Sequence, residues 1–164
     1  MFKSLRIGAA GAAIAATLGM TSAAHAVTAQ ADATAEILET LTLTENGDLD
    51  FGVLAVNGAD TITVAPNSGV TCGTNLICTG TAAAAQLDVT GSAGATVGVT
   101  LPSAAVQLTG PGVDMDLDTF TASASTLTLT GGAASFTVGG TLHVNAAQAA
   151  GTYTGQFDVE VEYQ

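Results

Sequence analysis

The chain has 164 residues and a net charge of −12, with 14 acidic residues, two basic residues and 48% hydrophobic residues. Both basic residues, Lys3 and Arg6, lie among the first 26 residues. All 14 acidic residues lie after residue 26, in a part of the chain that has no lysine or arginine. Such an acidic surface repels nucleic acid and anionic membranes, and it lacks arginine for phosphate recognition. The hydrophobic content argues against disorder, and the remaining 138 residues (164 − 26) are enough for one domain with a core.

The first 26 residues have the pattern of a secretory signal peptide. A basic start is followed by an apolar, alanine-rich stretch over residues 7–20 and by Ala24-His25-Ala26, a small-x-small cleavage site. The apolar stretch is too short and too rich in alanine and glycine for a membrane-spanning helix. We therefore expect export, with residues 1–26 removed.

Residues 27–37 form an N-terminal extension with strand periodicity. Small or apolar side chains occupy alternate positions, separated by polar or acidic ones: Val27, Ala29, Ala31, Ala33, Ala35 and Ile37. Alanine favours a helix over a strand, so a helix is the rival interpretation. The strict alternation favours extended chain.

From residue 38 to residue 164 the sequence predicts a single β domain. Some ten short apolar runs, rich in strand-forming residues, are separated by glycine-rich turns. We expect a hairpin turn at residues 91–94 and breaks at Gly131-Gly132 and Gly139-Gly140. No segment has the pattern of a long amphipathic helix, and no fixed repeat period supports a β-helix or solenoid. The pattern predicts an antiparallel β-sandwich.

Cys72 and Cys78 are the only two cysteines. In an exported chain, an even number of cysteines at short separation favours a disulfide. We expect it to staple a local hairpin, because a redox motif would have closer cysteines beside a helix. A zinc site would need four convergent ligands.

The sequence provides few groups for catalysis, and we expect neither an enzyme nor a cofactor. His143 is the only histidine after residue 26, and it lies between two apolar residues with no obvious acidic partner nearby in the sequence. The best metal candidates are Asp114, Asp116 and Asp118, whose spacing resembles the start of a calcium loop. Thr119 stands where that loop requires glycine, so the wet face of a strand explains the spacing better.

The last fourteen residues (164 − 151 + 1) contain the clearest strand in the sequence. After Gly155, polar residues alternate with Phe157, Val159, Val161 and Tyr163. This period of two is typical of a strand with one buried and one wet face. Such a strand needs a neighbour for its free edge or must remain at the sheet margin.

Several phrases of the sequence resemble known bacterial families. Gly151, the alternating apolar positions and Tyr163 resemble the C-terminal motif of chaperone–usher pilins. The phrases LTLT, LDFG, FTVGGTL and AGTYTG, at residues 41–44, 49–52, 136–142 and 150–155, resemble bacterial domain of unknown function 4402. The phrases LDFG and AGTY also resemble spore coat U, or archaic pilin, domains.

The pilin resemblance implies an immunoglobulin-like β-sandwich that lacks its final strand and is completed by donor-strand exchange. It implies that Gly151, Phe157, Val159, Val161 and Tyr163 mark the accepting edge. The donor positions would be Val27, Ala29, Ala31, Ala33 and Ala35. Its implied partners are copies of the same or related subunits, a periplasmic chaperone and an outer-membrane usher, with transit through the periplasm to the cell surface.

Two functions therefore remain as alternatives. The first is a non-enzymatic structural subunit of a surface fibre, and the second is a self-contained surface or periplasmic module that binds calcium or glycan. The donor interpretation leaves open whether the extension pairs within its own subunit or with the next one. Its alanines would bury less apolar surface than leucine or isoleucine, at about 0.8 kcal/mol per CH₂.

Overall fold

The computed structural model describes residues 26–164, so the expected signal peptide lies almost entirely outside the described residues. Over that range the chain forms twelve β-strands and no helix, which confirms the all-β prediction. Residues 36–164 make one compact unit. Within residues 26–164, we find no helix with the length and hydropathy needed to cross a membrane.

The strands are short except for two, β9 and β11. In chain order they are β1 (Thr42–Gly47), β2 (Val53–Val56), β3 (Asp60–Val64), β4 (Val70–Cys72), β5 (Leu76–Thr79), β6 (Ala85–Thr90), β7 (Thr96–Thr100), β8 (Val106–Leu108), β9 (Met115–Ala122), β10 (Thr126–Thr128), β11 (Ala133–Val144) and β12 (Glu160–Tyr163).

The strands form one large sheet and two smaller ones, with every pairing antiparallel. The large sheet has seven strands, with the order β1-β6-β11-β3-β4 and with β9 joining β8 to β11. A three-stranded sheet has the order β10-β7-β12, and β2 pairs with β5. The predicted antiparallel sandwich is therefore observed.

The core lies between the large sheet and the two small ones. Towards one end, Ile62, Val64 and Leu142 of the large sheet pack in a cluster that includes Leu76 of β5. Towards the other end, Val89 of β6 packs with Val97 of β7, and both are fully buried. The two small sheets form the layer opposite the large sheet, which we call the second layer. This layer is divided into two parts, and the candidate site lies at the division.

Strand β11 corrects one sequence expectation. We predicted two strands interrupted at Gly139-Gly140, but a single twelve-residue strand runs through both glycines. A side chain on Gly139 would overlap the carbonyl oxygen of Val64, and one on Gly140 would crowd Leu117. These glycines therefore permit close packing inside the sheet and do not mark a turn.

The turn at residues 91–94 is a second correction. We predicted a hairpin there, but β6 belongs to the seven-stranded sheet and β7 to the three-stranded sheet. The segment carries the chain from one layer to the other, because the apolar faces of β6 and β7 meet across the core.

The N-terminal extension has no strand partner among the described residues. Residues 26–41 form no strand, and residues 26–40 are all exposed. Val27 and Ile37 are 92% and 93% exposed. Alternation alone does not make a strand, because the backbone groups of a strand need a neighbour with which to pair.

Candidate functional site: a cleft between two free strand edges

Two sheet edges bound the candidate site. Strand β1 is an outer strand of the large sheet and pairs only with β6. Strand β12 is an outer strand of the three-stranded sheet and pairs only with β7. Each strand therefore retains one edge whose backbone N–H and C=O groups have no strand partner among the described residues.

A cleft of about 550 Å³ opens between β1 and the segment that leads into β12. Its floor is apolar and belongs to the large sheet, and its walls are the chain after β1 and the chain before β12. The lining residues that the argument uses are Leu43, Leu49, Phe51, Leu87, Phe157 and Val159. The cleft lies where the second layer is divided.

The closing strand is shorter than predicted. The sequence indicated a strand from Gln156 onward, but β12 begins at Glu160, and residues 155–159 have no paired neighbour. The predicted alternation is nonetheless present: Phe157, Val159, Val161 and Tyr163 are half-buried, and the residues between them are exposed. Residues 155–159 therefore have the side-chain pattern of a strand without the pairing of one.

The apolar row of the closing strand packs on the core with one side only. Phe157 contacts two core clusters, and its ring centroid lies 4.9 Å from that of Phe120. Val159 and Val161 pack against the cluster that contains Leu87 and Phe136. Phe157 and Val159 line the cleft and remain partly exposed there, so another apolar group placed in the cleft would bury more of their surface.

Tyr163 lies four residues beyond Val159, the last residue of the closing segment that lines the cleft, and its hydroxyl group contacts the chain before β1. The hydroxyl donates a hydrogen bond to the carbonyl oxygen of Glu39 at 2.9 Å and accepts one from the amide of Ser92 at 2.7 Å. The amide of Glu39 donates to Oγ of Ser92 at 2.6 Å. A side chain at Gly91 would overlap the Tyr163 hydroxyl. These contacts, which we call the Tyr163 clamp, fix the backbone just before β1.

Tyr153 lines the cleft. Its hydroxyl donates to the carbonyl oxygen of Ala149 at 2.9 Å, and Thr154 exchanges two backbone hydrogen bonds with Thr109. Gly151, which the resemblance placed at the accepting edge, lies here against Pro111 with a φ of 152°. It belongs to the turn that brings the chain to the cleft, and it is not on β12.

The cleft also contains carboxylates. Glu45 is paired with Leu87 in the register of the sheet, so its side chain is on the core-facing side of β1. Glu45, Asp48 and Asp158 all line the cleft. An inward-pointing charge on an edge strand is one way in which proteins discourage unwanted strand pairing. Sequence analysis missed this role of Glu45, which the alternation of Leu41, Leu43 and Glu45 could have indicated.

The disulfide joins two different sheets. Cys72 of β4 and Cys78 of β5 are bonded, with a Cα–Cα distance of 6.1 Å. Strand β4 pairs with β3 and β5 pairs with β2, so the bond does not staple a hairpin as we expected. It links an outer strand of the large sheet to the second layer.

Asp60 orders the loop that carries this disulfide. Its carboxylate accepts hydrogen bonds from the amides of Asn75 and Thr61, both at 2.9 Å. The bond from the Asn75 amide, and then that from Thr61, lower the pKa of Asp60 below its ordinary value. A side chain at Gly73 would overlap this carboxylate.

The candidate metal residues do not converge. Asp116 accepts a hydrogen bond from Gln107, and Asp114 and Asp116 are exposed. Among residues 26–164, no three acidic, histidine or cysteine side chains are grouped as metal ligands. Asp116 and Asp118 lie on β9, and Asp114 immediately precedes it.

Asp118 has a partner that the sequence analysis did not find. Its Oδ1 lies 3.0 Å from Nε2 of His143, across the pairing of β9 with β11. The hydrogen bond from His143, followed by that from Thr119, lowers the pKa of Asp118. Both side chains are substantially exposed, at 47% for His143 and 36% for Asp118. The pair is an exposed hydrogen bond between side chains, and exposed contacts of this kind contribute little to stability.

Comparison with known proteins gives one match. The family model described as Domain of unknown function (DUF4402) matches residues 41–163, from just before β1 to the end of β12. The matched region includes both edges of the cleft and excludes the N-terminal extension. No curated protein and no solved structure matches the chain.

Proposed function

The chain belongs to the DUF4402 family, and we propose that it is a non-enzymatic structural subunit that assembles into a surface fibre by accepting a β-strand into its cleft. The donor strand in this proposal is the N-terminal extension, residues 27–35. The resulting immunoglobulin-like sandwich would be complete only in the assembled fibre.

The observation that carries the proposal is the pair of free edges around one cleft with an apolar floor. A strand lying between β1 and residues 155–163 would find unpaired backbone groups on both sides and half-buried apolar side chains beneath it. Strand addition combines main-chain hydrogen bonds with alternate side chains in pockets. Few other ligands would use the backbone of residues 155–159.

The extension fits the length and shape of this edge. Residues 27–35 and residues 155–163 both number nine (35 − 27 + 1 and 163 − 155 + 1), which corresponds to about 30 Å of extended chain in each case. The cleft walls carry large side chains such as Phe157 and Leu43, and the donor carries mainly alanine. Small residues opposite large ones interdigitate well, so main-chain pairing would supply much of the affinity.

Assembly by strand addition would be head-to-tail. The donor lies at the N-terminal end of the chain, and the acceptor is a different surface of the domain, so each copy presents one of each. Such a heterologous contact does not close on itself unless its rotation forms a ring, and it otherwise produces an open filament. This supports a fibre over a symmetric dimer.

The remaining parts of the proposal rest on the sequence. The pattern of residues 1–26 supports export. The pilin resemblance supports a periplasmic chaperone that protects the cleft and an outer-membrane usher at which the next subunit replaces the chaperone. Free strand edges beside a cleft with an apolar floor are an aggregation hazard, which gives a protecting partner a physical purpose.

The test is deletion of residues 27–35 in the full chain, expressed in a Gram-negative host with the cognate assembly partners. We expect folded subunits, judged by circular dichroism, and no fibres by electron microscopy and sedimentation. Ala31→Glu, which puts a carboxylate on the cleft-facing side of the donor against Glu45, Asp48 and Asp158, should also prevent fibres. Gln30→Glu, on the opposite side of the same strand, is the matched control and should assemble. Normal fibres from the deletion variant would overturn the proposal.

A further inference from the structure

The chain contains two asparagine–glycine pairs, Asn46-Gly47 and Asn57-Gly58. An asparagine before glycine is prone to deamidation without an enzyme, because glycine has no Cβ to obstruct its backbone nitrogen as that nitrogen approaches the asparagine side chain. The reaction requires that both groups be free of other hydrogen bonds and that the backbone between them be able to rotate. The surroundings of the two pairs therefore decide which of them reacts.

The first pair lies within β1 and is held by the neighbouring strand. The side-chain amide of Asn46 donates a hydrogen bond to the carboxylate of Asp88 on β6. Gly47 is paired with Gln86 in the register of the large sheet. For the Gly47 nitrogen to reach the Asn46 side chain, this end of β1 would have to leave β6 and the bond to Asp88 would have to break. Such local opening costs free energy, so the sheet protects Asn46.

The second pair lies in the turn between β2 and β3, where residues 57–59 belong to no strand. Asn57 is exposed, and its backbone amide donates to the carbonyl oxygen of Asn75 at 2.9 Å. Within residues 26–164, the side chain of Asn57 and the backbone amide of Gly58 form no hydrogen bond with another protein group. The attacking nitrogen and the side-chain amide that it attacks are thus both open to reaction.

We propose that Asn57 is a site of spontaneous deamidation and that Asn46, in the folded protein, is not. The Gly58 nitrogen attacks Cγ of Asn57, so that a C–N bond forms, the Cγ–Nδ2 bond breaks, and ammonia leaves with the proton from Gly58. Water then adds to one of the two carbonyl carbons of the cyclic imide and opens the ring. The product at residue 57 is aspartate or isoaspartate, according to which carbonyl carbon the water attacks. This chemistry is independent of strand addition.

The modification would change a connection between the two layers. The turn joins β2 of the second layer to β3 of the large sheet, and isoaspartate adds a methylene group to its main chain. The turn also contacts the loop that carries the disulfide, because the Asn75 carbonyl oxygen accepts from Asn57 and the Asn75 amide donates to Asp60. A carboxylate at residue 57 would lie three residues (60 − 57) from Asp60, in a part of the chain without lysine or arginine. We expect the deamidated protein to have a lower midpoint of thermal unfolding.

Incubation of the full chain at mildly alkaline pH, followed by peptide mass spectrometry, tests the proposal. After unfolding and reduction, cleavage after leucine places Asn46 in a peptide of residues 44–49 and Asn57 in one of residues 55–76. Deamidation exchanges NH for O in the peptide, and fragmentation assigns the change in mass to a residue. We expect Asn57 to react at least about ten times faster than Asn46, since a tenfold difference requires only about 1.4 kcal/mol of added barrier from the opening of β1.

Two controls separate the effect of the fold from that of the local sequence. In urea the chain is unfolded, and both pairs should react at similar rates because glycine follows asparagine in each. Gly58→Ala should slow the reaction in the folded protein, since the added Cβ obstructs the attacking nitrogen and meets the Asn75 side chain at an ordinary contact distance of 3.4 Å.

Three results would each overturn the proposal: equal rates at Asn46 and Asn57 in the folded protein, a difference between them that persists in urea, or an Asn57 that stays unmodified. A reaction at residue 57 that Gly58→Ala does not slow would also overturn it, because the Gly58 nitrogen would then not be the nucleophile.

Discussion

The two outer strands of the main sheet path differ in how their edges are protected. Strand β4 has three residues and is covalently linked to the second layer by the Cys72–Cys78 disulfide. Strand β1 has six residues and faces a cleft of about 550 Å³. Short or covered edges resist pairing with other chains, whereas a longer, uncovered edge is open to it. Under the proposed function, one edge serves stability and the other assembly.

The largest effect should come from a charge in the open cleft. Val159→Glu would place a fourth carboxylate beside Glu45, Asp48 and Asp158 where the donor strand must pack, and burying a charge with no cationic partner costs several kcal/mol. We expect assembly to weaken at least a hundredfold by sedimentation. The isolated subunit should unfold within about 1 kcal/mol of the original protein, because the carboxylate can stay in solvent at a half-exposed position.

Gln164→Glu is the control for that substitution. It introduces the same side chain at an exposed position just after β12, outside the cleft, and should assemble normally. Equal loss of assembly in both variants would show that net charge, and not occupancy of the cleft, controls association.

Removing the disulfide should have an intermediate effect on stability, confined to the edge at β4, which we call the closed edge. Replacing both Cys72 and Cys78 with alanine releases a loop of seven residues (78 − 72 + 1), which the loop-entropy relation values at about 2 kcal/mol. We expect the midpoint of thermal unfolding to fall by about 5–10 °C, with fibre assembly retained below that midpoint. Loss of assembly in the folded variant would contradict the assignment of different roles to the β4 edge and the β1 edge.

The smallest effect should be the pH dependence that Asp60 gives the closed edge. Its folded-state pKa lies below the ordinary value of 3.8 because the amides of Asn75 and Thr61 donate to the carboxylate. A lowered pKa stabilises the folded state above the unfolded pKa, and this contribution is lost as the pH falls through the folded pKa. Asp60→Asn should therefore be less stable than the original protein at pH 6, and the difference should shrink below about pH 4.

Chemical denaturation at several pH values measures this difference, since its midpoint reports stability when the slope is unchanged. Asp114→Asn, at an exposed position far from the loop in sequence, provides a control. If the difference in denaturation midpoint between the Asp60→Asn variant and the original protein stayed constant from pH 6 to pH 3, the pH dependence would not come from Asp60.

The sequence predicted the architecture well where local patterns determine it. Alternation identified the all-β class and the inward positions of the closing strand from Phe157 to Tyr163. It could not identify pairing partners, because these depend on contacts far apart in the chain. Residues 91–94 have the composition of a hairpin turn and connect two layers, and Gly139 has the composition of a break and lies inside a strand for close packing against Val64.

Only one wall of the candidate site was predictable from the sequence. The row at Phe157, Val159, Val161 and Tyr163 was evident from its period of two, whereas the opposite wall at Leu43 and Leu49 became visible only through the fold. The clamp on Glu39 joins residues 124 positions apart, and no local pattern in the sequence reports such a contact.

Amide hydrogen exchange at residues 156–159 tests strand addition most directly. In the isolated subunit these amides lack a strand partner and should exchange quickly, whereas those of β6, which is paired on both sides, should be protected throughout and serve as the internal reference. On assembly we predict that alternate amides of residues 156–159 become protected about a hundredfold or more. Assembled protein in which all four amides still exchange at the rate of the isolated subunit would contradict the account.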